Sequence, residues 1–153
     1  MIDVFEKILV ATDGSKHSVR AAETALDMAK LYGSTITALY VVDVSREYAP
    51  LGDLISKVAD DLIASIRSSL LDQGKAATKQ VVDMAERAGI AATSKIIEGY
   101  PAEDIVRISE EEGIGLIVMG GMGATGLDRF LLGSVADKVV RSSKIPVLVV
   151  KRD

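Results

Sequence analysis

No cysteine occurs among the 153 residues, which removes disulfides, thiolate metal ligands and cysteine nucleophiles together. Aromatic residues make up 4%, too few for a platform on which single-stranded bases stack. Positive charge is also short: 18 basic against 22 acidic side chains give a net charge of −4, and the basic residues are scattered. The broad basic face that nucleic-acid binding needs is therefore missing. No apolar run approaches the ~20 residues of a membrane-spanning helix. Near the N-terminus the only apolar run is Ile8 to Ala11, too short for a signal peptide. These absences predict a cytoplasmic protein with no nucleic-acid or membrane partner.

What is present suits a folded core. Hydrophobic residues reach 48% and the mean hydropathy is +0.28, well above what a disordered chain carries. The length fits one domain spanning 1–153. Lys7 to Ala11 reads as a buried strand, followed by a helix with Val19, Ala22, Leu26 and Ala29 on one face. Gly33 stands where a helix C-cap belongs. Thr35 to Val42 is a second strand and Asp43 to Gly52 a loop. Leu54 to about Ala88 is helical, with Val58, Leu62, Ile66 and Leu70 in one stripe, and Gly74 is expected to break or kink it. Ala91 to Glu98 is a more polar strand suited to an edge. Pro101 opens another helix, with Glu103 and Asp104 at its positive end. Ile114 to Met119, Ser134 to Ser142 and Val147 to Val150 complete a strand, a helix and a last strand. This alternation predicts a doubly wound α/β domain with a parallel sheet and helices on both faces. Ligands of such sheets sit beyond the carboxyl ends of the strands.

The richest segment there is Gly120-Gly-Met-Gly123, followed after nine residues by Gly133-Ser134-Val135. Glycines permit positive φ and close backbone approach, and a helix start attracts anions through free N–H groups. Together they suit a phosphate cradle. Ser134 to Asp137 equally resembles a capping box that needs no ligand, so both readings stand on these residues alone. A Walker loop is excluded, because no Gly-Lys-Ser or Gly-Lys-Thr occurs. Gly121 to Gly126 matches Gly-x-Gly-x-x-Gly, but it follows the fourth strand and lacks the acid after the next one, so a dinucleotide fold is discounted. Asp13 either caps the first helix or faces the crevice as a ligand. His17, Lys16, Arg20 and Arg129 read as surface residues that could neighbour a phosphate, and Glu110 to Glu112 as a solvated helix end.

The spacing from Gly120 through Gly123 to Gly133-Ser134 resembles the ATP-binding signature of the universal stress proteins. Ile8-Leu-Val-Ala-Thr-Asp13, Leu131-Leu-Gly-Ser-Val-Ala136 and Pro146-Val-Leu-Val-Val150 resemble other parts of that family. The resemblance implies a five-stranded parallel sheet of order 3-2-1-4-5, ATP at the strand ends, and frequent homodimers. It departs at Gly121-Met122, where many members carry Ser-His, and at Gly115, where an Asp is common.

Carried over residue by residue, the resemblance implies that Ala11, Thr12 and Asp13 lie beside the nucleoside. Asp13 would contact ribose or a phosphate-bound metal. Backbone groups of Val41 and Val42 would read adenine. Met119, Gly120 and Gly123 would approach ribose and α-phosphate, and Gly133, Ser134 and Val135 would bind the outer phosphates. Mg²⁺ or Mn²⁺ would ride on those phosphates. The last strand, Val147 to Val150, is either an ordinary buried strand or, as the resemblance implies, the seam of a homodimer. The expected activity is regulatory nucleotide binding in a stress response with little turnover, since no glycine-loop lysine faces the γ-phosphate. A slow ATPase or phosphotransferase and an ATP-independent interaction domain are the alternatives. Adenylating enzymes of similar fold are disfavoured, because Thr12 to His17 lacks their Ser-Gly-Gly-x-Asp-Ser and His-x-Gly-His elements.

Overall fold

The computed structural model describes residues 5–44, 56–121 and 133–151. Five strands form one parallel sheet: β1 (Lys7–Ala11), β2 (Thr35–Asp43), β3 (Ala92–Gly99), β4 (Leu116–Gly120) and β5 (Val147–Val150), in the order β3-β2-β1-β4-β5. Among the described residues, four helices connect them: α1 (Lys16–Tyr32), α2 (Ser56–Arg87), α3 (Pro101–Glu111) and α4 (Ser134–Ser142). The doubly wound architecture read from the alternation, and the strand order implied by the family resemblance, are both present.

The central strand explains why the sheet is read so easily from hydropathy. Ile8, Leu9 and Val10 are each fully buried, as expected of a parallel strand covered on both faces. Ile8 and Val10 pack with Ala21, Ala22, Ala25 and Leu26 of α1 and with Val81 and Ala85 of α2. Leu9 turns the other way, toward Ile105 and Ile108 of α3 and Ala136 and Val139 of α4. The polar β3 lies at an edge, as its composition predicts, and β5 forms the opposite edge. Gly33 caps α1 with φ +67, and Pro101 occupies the first turn of α3.

Strand limits shift by a residue or two from the sequence reading, β4 for instance beginning at Leu116. The acidic run is also more than a solvated end, since Glu111 pairs with Arg107 and Glu112 with Lys95. The expected break at Gly74 does not occur, because α2 continues through it to Arg87. A Cβ built on Gly74 would stand 2.7 Å from Cδ1 of Tyr40, so glycine lets the helix lie against that buried ring. The stripe from Val58 to Leu70 is not buried as a unit either. Leu62 is 48% exposed, and Leu54 and the side chain of Val58 lie outside the described residues.

Gly74→Ala would stabilise an exposed helix by about 1 kcal/mol. Here it is expected to destabilise by about 1–3 kcal/mol through overpacking, and a raised urea midpoint would contradict the Tyr40 contact. The Ser109 hydroxyl is buried with no hydrogen-bond partner among the described residues. Ser109→Ala should therefore leave the midpoint unchanged or raise stability by about 1 kcal/mol.

Candidate functional site

At the carboxyl end of the sheet the central strand stops before its neighbours. Its last hydrogen bond to β2 runs from the Thr12 N–H to the Leu39 carbonyl (2.9 Å), whereas β2 continues beside β3 to the Asp43–Gly99 pair. Backbone groups of successive strand residues point alternately to the two neighbouring strands. The amides of Thr35 and Ile36 donate to Glu6 and Ala91 respectively, so odd residues of β2 face β1 and even ones face β3. Val41 thus presents its amide and carbonyl above the end of β1. Val42 turns its own into the β3 ladder and buries its side chain against Tyr40 and Ala77.

The same alternation holds on the other side of the gap. The amides of Ile117 and Gly121 donate to Pro146 and Val150 on the β5 side, so Gly120 faces β1 beyond the Ala11–Met119 pair. Ala11 and Met119 turn their side chains into the core under α3 and α4. They form the floor of the crevice.

The chain leaves β1 through two successive side-chain turns. Thr12 Oγ1 accepts from the Gly14 N–H (3.1 Å), and Asp13 Oδ1 accepts from the Ser15 N–H (2.9 Å). Gly14, with φ +81, needs the left-handed region that glycine tolerates. Ser15, rather than Asp13, caps α1 by accepting from the Ser18 N–H (3.3 Å). Asp13 stays exposed at the crevice mouth.

On the opposite wall, Gly121 accepts from the Gly133 N–H and donates to the Val150 carbonyl. The first bond joins the residues that flank the segment 122–132, and the second ties Gly121 to the end of β5. Gly133 is the N-cap of α4 and Ser134 its first helical residue, with no side-chain cap bond. The capping-box reading of Ser134 is thereby corrected. Ser134 is exposed and Val135 half-buried. Gly123, Arg129 and the rest of 122–132 lie outside the described residues.

The glycines act differently from the sequence expectation. Neither Gly120 nor Gly133 has positive φ; among the described residues of this crevice the left-handed glycine is Gly14. Gly120 is required by its own chain, since a Cβ there would stand 3.1 Å from the backbone carbon, oxygen and Cβ of His17. The structure therefore brings Thr12, Asp13, Val41, Gly120 and the start of α1 to one gap. Sequence reading gave no site role to Gly121, which joins β5 to α4, and passed over Ser18. The Ser15-x-x-Ser18 spacing was the available signal for the latter. Two open hollows lie elsewhere: one of about 600 Å³ at the strands' amino ends, near Lys7 and Thr35, and one of about 390 Å³ along α2. The carboxyl-end gap remains the candidate, because open α/β sheets bind ligands there.

The family model for the universal stress proteins matches residues 5–151. The chain belongs to the universal stress protein family. This universal stress protein is 41% identical over 150 residues to universal stress protein MJ0531 of Methanocaldococcus jannaschii, across 98% of this chain and 84% of that relative. It is 32% identical to universal stress protein MJ0577 of the same organism, across 97% and 96%. The solved structure of MJ0577 is similar with a TM-score of 0.81 at 31% identity, over 98% of each chain. A universal stress protein in complex with cAMP is similar with a TM-score of 0.65 at 25% identity, over 96% and 97%.

Gly120→Ala is expected to cost about 1–2 kcal/mol by pressing on the first turn of α1, measured by chemical denaturation. An unchanged midpoint would show that α1 can retreat freely.

Proposed function

We propose that this universal stress protein binds ATP in the gap above β1 and acts as a nucleotide-dependent regulatory protein with little turnover. The observation that carries the reading is the overhang of Val41 and Gly120 on either side of Thr12 and Asp13. It offers backbone donors and acceptors for a base and ribose where the central strand ends. Val41 reads the adenine edge, Asp13 the ribose, and Ser134 and Val135 the outer phosphates through their N–H groups and the Ser134 hydroxyl, while Gly133, whose own N–H is bonded to Gly121, brings the start of α4 to them. The start of α4 favours such anions. The cAMP complex of a related universal stress protein supports an adenine nucleotide as the ligand class.

Metal would enter with the phosphates. No group of three or more His, Cys, Asp or Glu side chains stands ready for a metal among the described residues, and one oxygen of Asp13 already accepts from Ser15. The donor set suits Mg²⁺ or Mn²⁺ held chiefly by phosphate oxygens, Asp13 being the protein carboxylate that takes either the ribose or that metal. We place the protein in the cytoplasm as a homodimer joined along β5. All four residues of that edge strand are only half-buried, and Val140 of the adjacent α4 is 44% exposed. No helix among the described residues is long and apolar enough to cross a membrane.

Calorimetric titration of ATP and Mg²⁺ into nucleotide-stripped protein should give one site per chain, with phosphate release slow or absent. Ser134→Ala should weaken binding about tenfold through loss of a charge-assisted hydrogen bond. It should leave the thermal midpoint unchanged, since Ser134 is not the cap. Stripped, folded wild type that binds no nucleotide would overturn the reading.

A further inference from the structure

We infer that Ser18, without contacting the ligand, holds Asp13 in place at the crevice and is a positioning residue for nucleotide binding. The inference rests on the nucleotide-binding reading above. Ser18 is 4% exposed, on the α1 face that otherwise buries Ala21, Ala22 and Ala25. An alanine there would favour the helix and match that apolar face. Capping does not require the Ser18 hydroxyl either, because the cap bond runs from its backbone amide to the Ser15 side chain.

The hydroxyl serves another purpose. It accepts from Thr12 Oγ1 (3.1 Å) and donates to the Ser15 carbonyl (2.9 Å), so both its roles are used inside the protein. Thr12, 8% exposed, is thereby held in the orientation in which its oxygen accepts from the Gly14 amide. The Gly14 turn in turn presents the Ser15 amide to Asp13 Oδ1. Asp13 is exposed, and its carboxylate is held by the hydrogen bond from the Ser15 amide. Removing the Ser18 hydroxyl leaves the buried Thr12 proton without its acceptor, a situation that a buried polar group resolves by moving. Release of Thr12 frees the Gly14 amide and loosens the turn that aims Asp13.

The test is ATP–Mg²⁺ calorimetry on stripped wild type, Ser18→Ala, Asp13→Ala and the double variant, each with its thermal midpoint. Ser18→Ala should weaken binding about tenfold in the wild-type background and less than about twofold when Asp13 is already Ala, because the two act as one unit. Ser34→Ala breaks the bond from the Ser34 hydroxyl to the Phe5 carbonyl beyond the other end of α1. It should lower the midpoint while leaving affinity unchanged. Should Ser18→Ala fail to fold, Thr12→Val breaks the same hydroxyl–hydroxyl bond from its other side, along with the Gly14 amide bond, and should show the same dependence on Asp13. An equal loss in both backgrounds, or no loss, overturns the positioning role while nucleotide binding stands. Absence of binding by wild type overturns both.

Discussion

The geometry of the carboxyl end depends on one hydrogen bond, from the Thr12 amide to the Leu39 carbonyl. It is the last rung that the central strand makes with β2. Beyond it the chain turns away through Gly14 into α1, while β2 runs on to Asp43 and β4 to Gly120. A notch opens between two strands whose backbone groups alternate in direction. The parity of the register leaves Val41 and Gly120 aimed into that notch. A strand one residue longer would fill it.

The rest of the fold holds this rung in place. Ile8, Leu9 and Val10 are buried on alternate faces, and full burial of such side chains contributes about 1.5–3 kcal/mol each. The register of β1 against β2 and β4 is thereby strongly specified, since a slip of one residue would exchange the two faces. On one face α1 comes so close to β4 that a Cβ on Gly120 would press on the backbone of His17 at 3.1 Å. On the other wall the bonds of Gly121 connect the β5 edge to the start of α4. The crevice is thus a consequence of core packing, lined by backbone more than by side chains.

That distinction decides what could be read from the sequence. Apolar runs marked β1, β2, β4 and β5, a more polar stretch marked the β3 edge, and Pro101 and Gly33 marked helix limits, because those signals are local. The strand order came from the family resemblance, since hydropathy says nothing about which strands are neighbours. Gly74 was misread as a breaker because its reason, the Tyr40 ring, lies 34 positions away in the chain and is visible only once α2 covers β2. Val41 and Val42 were indistinguishable, as nothing in two adjacent valines reveals which one faces a missing rung. Ser134 looked like a cap until the dihedrals of Gly133 placed the cap one residue earlier. Asp13 and Thr12 could be singled out at a strand end, but the Ser18 hydroxyl that bonds Thr12 was hidden among the small residues of the buried α1 face.

The most direct test of the backbone-lined crevice is an amide NMR titration of stripped protein with ATP and Mg²⁺. Large shifts are predicted at the amides of Val41, Ser134 and Val135, with Val42 little changed because its amide is bonded within the β2–β3 ladder. Shifts centred on the amino ends of the strands, near Lys7 and Thr35, or equal shifts at Val41 and Val42, would contradict it.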